Sequence, residues 1–418
     1  MEEHELIYDW NLEGDRQAPA RPGVELDDET LRDGLQSPSV RCPSIAEKLR
    51  LLHYMHALGI QAANIGLPGA GPQVKQDVMR LAREIRDEGL RIFPNCAART
   101  LQVDIDPIVE ASEVVGLPIE AAVFIGSSPI RQYAEEWTID RMLRHSSDAV
   151  GYAVKHGLPV MYVTEDTTRA HPGTLRRLYT AAIEAGARRI CLADTVGHAT
   201  PEGVWNLITF IKEVVAGTGE DVRIDWHGHN DRGLGLVNSL TAAQAGADRV
   251  HGTALGIGER VGNTSIDQLL VNFRLLGWID SDLGILGEYC DFVSQVTSTP
   301  IPPNYPVLGR DAFRTATGVH AAAVIKALRK GQDWLANRVY SGVPAEYFGR
   351  SQVIEIGPMS GQSNVSYWLE AHGIPPDPLL VEAIFQACKE ANCVLTDDDI
   401  QAFMAAWQAR QAAAPSAT

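Results

Sequence analysis

The sequence predicts an α/β protein, a (β/α)8 TIM barrel followed by small, mostly helical C-terminal subdomains. Between residues 24 and 263, eight short runs with β-strand character alternate with amphipathic stretches of helical period. Several helical stretches end in a glycine that suits a C-terminal cap, as at Gly59 and Gly157. Eightfold strand–helix alternation is typical of a barrel. The competing fold, a doubly wound open sheet, would typically carry a phosphate-loop glycine cluster after its first strand. Residues 29–34 (ETLRDG), which follow the first predicted strand here, do not form such a cluster.

The predicted elements follow one another in a regular order. Strands are expected at 24–28, 62–67, 91–95, 121–125, 160–164, 189–193, 222–226 and 249–254. Helices are expected at 45–58, 73–88, 140–156, 172–185, 201–216 and 234–245. The domain boundaries that follow are an N-terminal extension at 1–23, the barrel at 24–280, a helix and proline-rich linker at 281–308, subdomain I at 309–350 and helical subdomain II at 351–418.

Composition excludes several classes of protein. The 418 residues carry a net charge of -17, which argues against nucleic acid or an anionic membrane as a partner. The chain contains no apolar run long enough to span a bilayer, and its first 21 residues have no apolar signal segment. The six cysteines form no C-x-x-C pair. We therefore expect a cytoplasmic protein with reduced thiols.

The most informative motif is the segment from Asp225 to Asp231, which contains two histidines. In a β-strand, side chains two residues apart share a face, so Asp225, His227 and His229 should project together. With Asp33 after the first strand and Asn263 after the eighth, His227 and His229 offer oxygen and nitrogen ligands without a thiolate. This donor set suits Mg²⁺, Mn²⁺ or Zn²⁺ with open coordination positions. The alternative is a pair of surface histidines or buried, hydrogen-bonded ones.

Other polar residues also fall where predicted strands end, the position of active sites in barrels. Arg32 could stabilise a developing oxyanion or enolate, or form a structural ion pair. Glu165, Asp194 and Asp225 are candidate acid/base groups, and each could equally orient a ligand. The glycines of 256–262 could cradle phosphate or simply make a tight turn.

Four segments together resemble one family. They are 28–36, 164–169, 227–231 and 256–263, and they occur in order on the expected strands. The chain resembles the 2-isopropylmalate, homocitrate and citramalate synthases, barrel enzymes of the metallolyase type, with 3-hydroxy-3-methylglutaryl-CoA lyase as a more distant relative. The resemblance implies an acyltransferase. A divalent metal would hold a 2-oxo acid, acetyl-CoA would condense with it in a Claisen reaction, and hydrolysis would release free CoA.

Two features favour the synthase branch within this family. The lyases carry a catalytic cysteine in the glycine loop after strand eight, and residues 256–263 contain none. The synthases have a helical extension after the barrel, which 309–326 resembles. In that family a histidine and a tyrosine of the extension reach the partner subunit's barrel. The resemblance therefore implies catalytic roles for His320 and Tyr340 and a homodimer with shared active sites. Asp225 matches a catalytic carboxylate of some homocitrate synthases.

The chain departs from the synthases at two positions near the expected 2-oxo acid pocket. Leu35 and Asn64 stand where those enzymes usually have glutamate. We assign both to substrate binding, together with Gln36 and Thr195.

The predicted fifth strand indicates the chemistry of the substrate. Met161 and Val163 share the face of Glu165 and offer an apolar surface, against which an unpaired carboxylate would be costly to bury. We expect a 2-oxo acid with an apolar side chain, such as 2-oxoisovalerate or pyruvate, although Arg99 or Arg131 could reverse this preference.

Three other functions remain open. They are the reverse reaction of a metal-dependent lyase or aldolase, a degenerate barrel that serves as a scaffold, and a biotin-dependent carboxyltransferase. The last is disfavoured because no lysine ends strand five.

Overall fold

The computed structural model describes residues 3–13 and 23–413, so the expectations for most of the N-terminal extension and for 414–418 lie outside the described residues. Contacts divide the chain into two compact units. One falls within Leu12–Pro300, and the other comprises Met1–Asn11 and Ile301–Thr418. No described helix is both long enough and apolar enough to cross a bilayer.

The first unit contains a closed barrel of eight parallel strands, as predicted. They are β1 (Glu25–Asp28), β2 (Ala62–Asn64), β3 (Phe93–Arg99), β4 (Glu120–Gly126), β5 (Val160–Glu165), β6 (Arg189–Asp194), β7 (Arg223–Gly228) and β8 (Arg249–Gly252). Each strand pairs with the next along the chain, and β1 closes the barrel by pairing with β8. Because all strands are parallel, their carboxyl ends and the loops that follow them share one end of the barrel.

Helices connect the strands in the order that the sequence predicts. The first helix of the chain, α1 (Glu3–Leu6), belongs to the second unit. The helices of the first unit are α2 (Ile45–Ala57), α3 (Pro72–Asp87), α4 (Gln102–Val115), α5 (Pro129–Ala134), α6 (Ile139–Lys155), α7 (Pro172–Glu184), α8 (Pro201–Ala216), α9 (Gly235–Ala245), α10 (Ile266–Leu275) and α11 (Leu286–Thr297). The sequence prediction did not include α1, α4, α5 or α10. Pro107 lies inside α4, and a proline within a helical pattern normally indicates a break.

The two faces of each strand serve different purposes. In β7, Trp226 is completely buried, whereas Asp225 and His227 project from the opposite face of the strand. In α3, Val78, Leu81 and Ile85 are buried at helical spacing. The apolar core therefore lies between strands and helices, which leaves the inner face of the barrel free to carry polar residues.

The second unit is mostly helical, with a short parallel pair of strands. Its remaining elements are β9 (Arg314–Thr315), α12 (Gly318–Arg329), α13 (Asp333–Arg338), β10 (Val353–Ile354), α14 (Gln362–Ala371), α15 (Pro378–Glu390) and α16 (Asp397–Ala413). Two apolar clusters hold it together. Ala321, Val324 and Ile325 belong to one, and Val365 and Leu369 belong to the other.

Candidate active site

A cavity of about 300 Å³ opens at the carboxyl ends of the barrel strands. Ten of the predicted site residues line it: Arg32, Asp33, Gln36, Asn64, Met161, Val163, Glu165, Thr195, His227 and His229. Glu29 and His251, which the sequence analysis did not select, line it as well. The fold therefore brings the ends of strands that are distant in sequence to one small volume.

Asp33, His227 and His229 form a group that could hold a metal ion. Their ligand atoms all lie within 4.8 Å of one another. The Nε2 atom of His227 lies 3.3 Å from the Asp33 carboxylate, and that of His229 lies 3.7 Å from it. Burial lowers the pKa of His229 to about 4, which keeps the imidazole neutral, the form that binds metals. Two imidazoles and a carboxylate fit a divalent cation with open positions.

Asn263 supports the same assignment. Its backbone pairs with that of His229, so its side chain lies beside the histidine motif. Asn263 Nδ2 donates to the carbonyl oxygen of Ile257, but Oδ1 is buried and has no hydrogen-bond partner among the described residues. His229 Nδ1 is also buried and unpartnered there. Such atoms are uncommon in native structures unless an ion or water satisfies them.

The glycine loop before Asn263 is a tight turn. A Cβ at Gly262 would collide with the carbonyl oxygen of Gly256, and a Cβ at Gly258 would collide with the Asn263 amide. Both positions therefore require glycine for the turn that places Asn263. This favours the interpretation of the loop as a tight turn over its interpretation as a phosphate-binding loop.

Arg32 lies between the metal candidates and two amides. Its Nη2 atom donates to Glu29 at 2.6 Å, and Nη1 donates to Gln36 at 3.3 Å and lies 3.6 Å from Asp33. Asn64 accepts from Nε at 3.2 Å when its amide oxygen faces the guanidinium. Burial alone would lower the pKa of Arg32, but the charges of Glu29 and Asp33 outweigh burial and raise it. A permanently charged donor thus stands at the cavity wall.

Glu29 and His251 join the site to a layer of buried charges deeper in the barrel. Burial alone would raise the pKa of Glu29, but Arg32 and His227 lower it well below its usual range. Burial alone would lower the pKa of His251, but Asp27, Asp225 and Glu29 raise it to about 10. Sequence reasoning missed this layer because its ion pairs join strands far apart in the chain. A possible signal was the period of two that places Glu29 near Asp27 and His251 near Arg249.

Asp225 belongs to that buried layer and does not line the cavity. It is fully buried, accepts from Arg249 at 2.6 Å and from Arg189 at 2.7 Å, and lies 3.0 Å from His251. Although burial opposes ionisation, these partners lower the pKa of Asp225. Its position two residues before His227 in β7 places it deeper in the barrel than the residues that line the cavity.

Asp194, another candidate acid/base group, also has hydrogen-bond partners within the protein. It accepts from the backbone N–H groups of His198 and Ala199 and from the hydroxyl of Thr168. Glu165, by contrast, lines the cavity, and burial raises its pKa. Glu165 is therefore the better placed of these carboxylates for proton transfer.

The wall around Met161 and Val163 is apolar, as expected. Ala97, Ala122 and Phe124 line it too. Leu35 does not line the cavity, because the chain has left the strand and turns at 34–36. Thr195 lines it, with its hydroxyl accepting from the backbone of Asp166 at 2.7 Å.

A second cavity, of about 340 Å³, shares Phe124 and Glu165 with the first. Arg99 and Arg131 both line it. Arg99 is bound to Asp104 through two nitrogens at 2.6 and 2.8 Å, whereas Arg131 lies 3.6 Å from Glu165. Arg131 is therefore the less constrained of the two guanidinium groups.

His320 and Tyr340 lie in the second unit. Their rings stack with centroids 4.1 Å apart, and both residues are exposed. The structure thus brings these two residues to each other, and their approach to a partner's barrel stays a prediction.

The fold and the site define a TIM barrel whose mouth carries a set of side chains that could hold a cation, beside an arginine. The chain belongs to the HMGL-like family, whose model matches residues 23–287. It is 33% identical over 365 residues to homocitrate synthase AksA of Methanopyrus kandleri, covering 87% of this chain and 86% of that protein. It is 31% identical to 2-isopropylmalate synthase of Nitratidesulfovibrio vulgaris, covering 91% of this chain and 73% of that protein.

Solved structures agree on the fold. The HMG-CoA lyase of Bacillus subtilis matches with a TM-score of 0.56 and 20% identity, covering 68% of this chain and 97% of that one. At this identity the likeness shows the barrel fold alone. The predicted relationship to the synthases is confirmed by the relatives of higher identity, which include homocitrate and 2-isopropylmalate synthases.

Proposed function

We propose that the chain is an acyltransferase that condenses acetyl-CoA with a 2-oxo acid in a metal-dependent Claisen reaction and releases free CoA. The observation that carries this proposal is the convergence of Asp33, His227 and His229 with Arg32 on one cavity. The names of the synthase relatives support the same class of reaction. A divalent cation held there, with Asn263 as a further ligand, would polarise the keto group as a Lewis acid.

The residues of the chain would act on the reacting atoms as follows. Loss of a proton from the acetyl methyl group gives an enolate, whose carbon attacks the keto carbon of the 2-oxo acid. Arg32 donates to the oxygen on which negative charge then develops. Glu165, whose pKa burial raises, would accept the methyl proton and return it to the alkoxide oxygen that the new carbon–carbon bond creates. Water then hydrolyses the thioester, so that a hydroxy diacid and the free thiol of CoA leave.

The apolar wall favours a 2-oxo acid with an apolar side chain. β7, β8 and β1 are neighbours in the closed barrel, so β3, β4 and β5 lie across the cavity from the cation ligands. A chelated 2-oxo acid would therefore direct its side chain towards Ala97, Phe124, Met161 and Val163. An unpaired carboxylate there would be costly. 2-Oxoisovalerate and pyruvate fit this surface.

A second candidate substrate is a 2-oxo acid with a distal carboxylate, as in 2-oxoglutarate. Arg131 favours it, because its guanidinium lies beside Glu165, the residue that the two cavities share. In this case the side chain would extend past Phe124 and pair with the arginine.

We propose that the active enzyme is a homodimer in which His320 and Tyr340 of each subunit complete the partner's site. Their stacked rings support this arrangement, because both polar side chains are exposed and lie together. The six free cysteines fit a reducing compartment, which supports a location in the cytoplasm.

A panel of 2-oxo acids tests the proposal. The purified protein receives acetyl-CoA, one 2-oxo acid and Mg²⁺, Mn²⁺ or Zn²⁺, and the released thiol is measured with and without EDTA. We expect EDTA-sensitive release that is fastest with 2-oxoisovalerate or pyruvate. Preference for 2-oxoglutarate would instead support the second candidate. Silence across the panel, with cleavage of a 3-hydroxyacyl-CoA, would make the chain a lyase, and a protein that binds no divalent metal would be a scaffold.

A further inference from the structure

His227 lies between two carboxylates, one on each ring nitrogen. Nε2 is 3.3 Å from Asp33, and Nδ1 is 3.2 Å from Glu29. A carboxylate on one nitrogen fixes both the tautomer and the rotation of an imidazole, which leaves the other nitrogen to bind a metal. The contact with Glu29 therefore decides which atom of His227 faces Asp33 and the cavity.

Glu29 is itself held in place from two other sides. Arg32 donates to Oε2 at 2.6 Å, and His251 Nδ1 lies 3.1 Å from Oε1. His251 is in turn held by Asp225 at 3.0 Å, and Asp225 by Arg249 at 2.6 Å. The carboxylate of Glu29 is only 3% exposed, so it has little freedom to turn away from the histidine.

A second metal site is the competing explanation for these contacts. The ligand atoms of Glu29, His227 and His251 also lie within 4.8 Å of one another. A cation among them would compete with the guanidinium of Arg32 for Glu29 and would separate His251 from one of its two carboxylates. All three side chains of this group already have partners in the protein. If Glu29 simply orients His227, every one of these contacts is kept.

We propose that Glu29 is the positioning residue of the metal centre, holding His227 so that Nε2 faces the cation bound by Asp33 and His229. This inference rests on the metal site of the proposed function. The same carboxylate also binds Arg32, so Glu29 links the orientation of the metal ligand to that of the oxyanion donor.

The test is the metal affinity of Glu29→Gln, measured by calorimetric titration of the metal-free protein with Mn²⁺ or Zn²⁺. We expect affinity to fall about 10- to 100-fold. Asp104→Asn is the matched control, because Asp104 is a buried carboxylate bound to Arg99 at 2.6 Å, outside the charge layer that holds Glu29, and it should keep the wild-type affinity. Unfolding midpoints of the metal-free variants show whether each has folded. With Co²⁺ as the probe, the visible spectrum of Glu29→Gln should shift from wild type.

Glu29→Asp keeps the charge but is one methylene shorter, so it should also lose affinity. Wild-type affinity in both Glu29 variants would overturn the inference, as would full affinity in Glu29→Asp alone, since charge rather than contact would then matter. Two metal equivalents in wild type and one in Glu29→Gln would establish the second cation site instead. The titration involves no turnover, so a wild type that binds metal but releases no thiol would contradict the proposed reaction and not this inference.

Discussion

Replacement of Arg32 is the most direct test of how the site works. The guanidinium uses one nitrogen on Glu29 at 2.6 Å and another on Gln36 at 3.3 Å, and its side chain is 18% exposed, towards the cavity. Arg32→Gln removes the charge and the fork of donors. Arg32→Lys keeps the charge but loses the planar fork that reaches Glu29 and Gln36 from separate nitrogens.

The expected loss follows from the moment at which Arg32 acts. In the proposed reaction, negative charge grows on the keto oxygen only as the new carbon–carbon bond forms, so the arginine would bind the transition state more strongly than the substrate. Removing one such donor costs about 10²- to 10³-fold in kcat, or about 2.7–4 kcal/mol. KM for the 2-oxo acid should change much less. Folding should also weaken, because the buried Glu29 loses an ionic partner.

Arg169→Gln separates the two effects. Like Arg32, Arg169 follows a barrel strand and pairs with a buried carboxylate three residues earlier, here Asp166 at 2.7 Å, but it does not line the cavity. Thiol release under saturating substrates gives kcat, and urea denaturation gives the free energy of unfolding. Both glutamine variants should lose stability, and only Arg32→Gln should lose kcat. A similar drop in kcat in both, or a loss in Arg32→Gln confined to KM, would refute the oxyanion role.

Three further results are expected. His227→Ala and His229→Ala should each abolish metal-dependent turnover with little loss of folded protein, because the apolar core lies elsewhere; wild-type turnover in either variant would remove it from the metal site. A mixture of Arg32→Gln and His320→Ala chains should recover up to about a quarter of wild-type activity if dimers share their sites, and verified mixed dimers without activity would mean that each chain is self-contained. Burial raises the pKa of Asp28 to about 6 from 3.8, so ionisation of this carboxyl destabilises the native state as pH rises. The free energy of unfolding of Asp28→Asn should therefore rise relative to that of wild type between pH 4 and 7, by up to about 3 kcal/mol. Urea denaturation at several pH values measures this difference, and a difference that does not change with pH would contradict the prediction.

The sequence by itself determined the barrel and the side chains at its mouth. Local periodicity was sufficient for the strands, because each alternates strictly with a helix and the inward face follows a period of two. The same period predicted that His227 and His229 would lie together, and the structure places both beside Asp33. α4 was missed because Pro107 interrupts its local pattern, although an early proline is compatible with a helix held by tertiary contacts.

Only the tertiary structure decided how the buried charges are connected. Glu29 and Arg249 lie 220 positions apart in the sequence. The closure of β1 onto β8 nevertheless brings both into one layer with Asp225 and His251. The sequence makes Asp225 a candidate acid or base. The pairing of β7 with β8 places it beside Arg249, with which it forms an ion pair. Pattern along the chain specifies which face a side chain occupies, whereas ion pairing depends on distances across the barrel. Strand register and closure set those distances, and no local sequence signal encodes them.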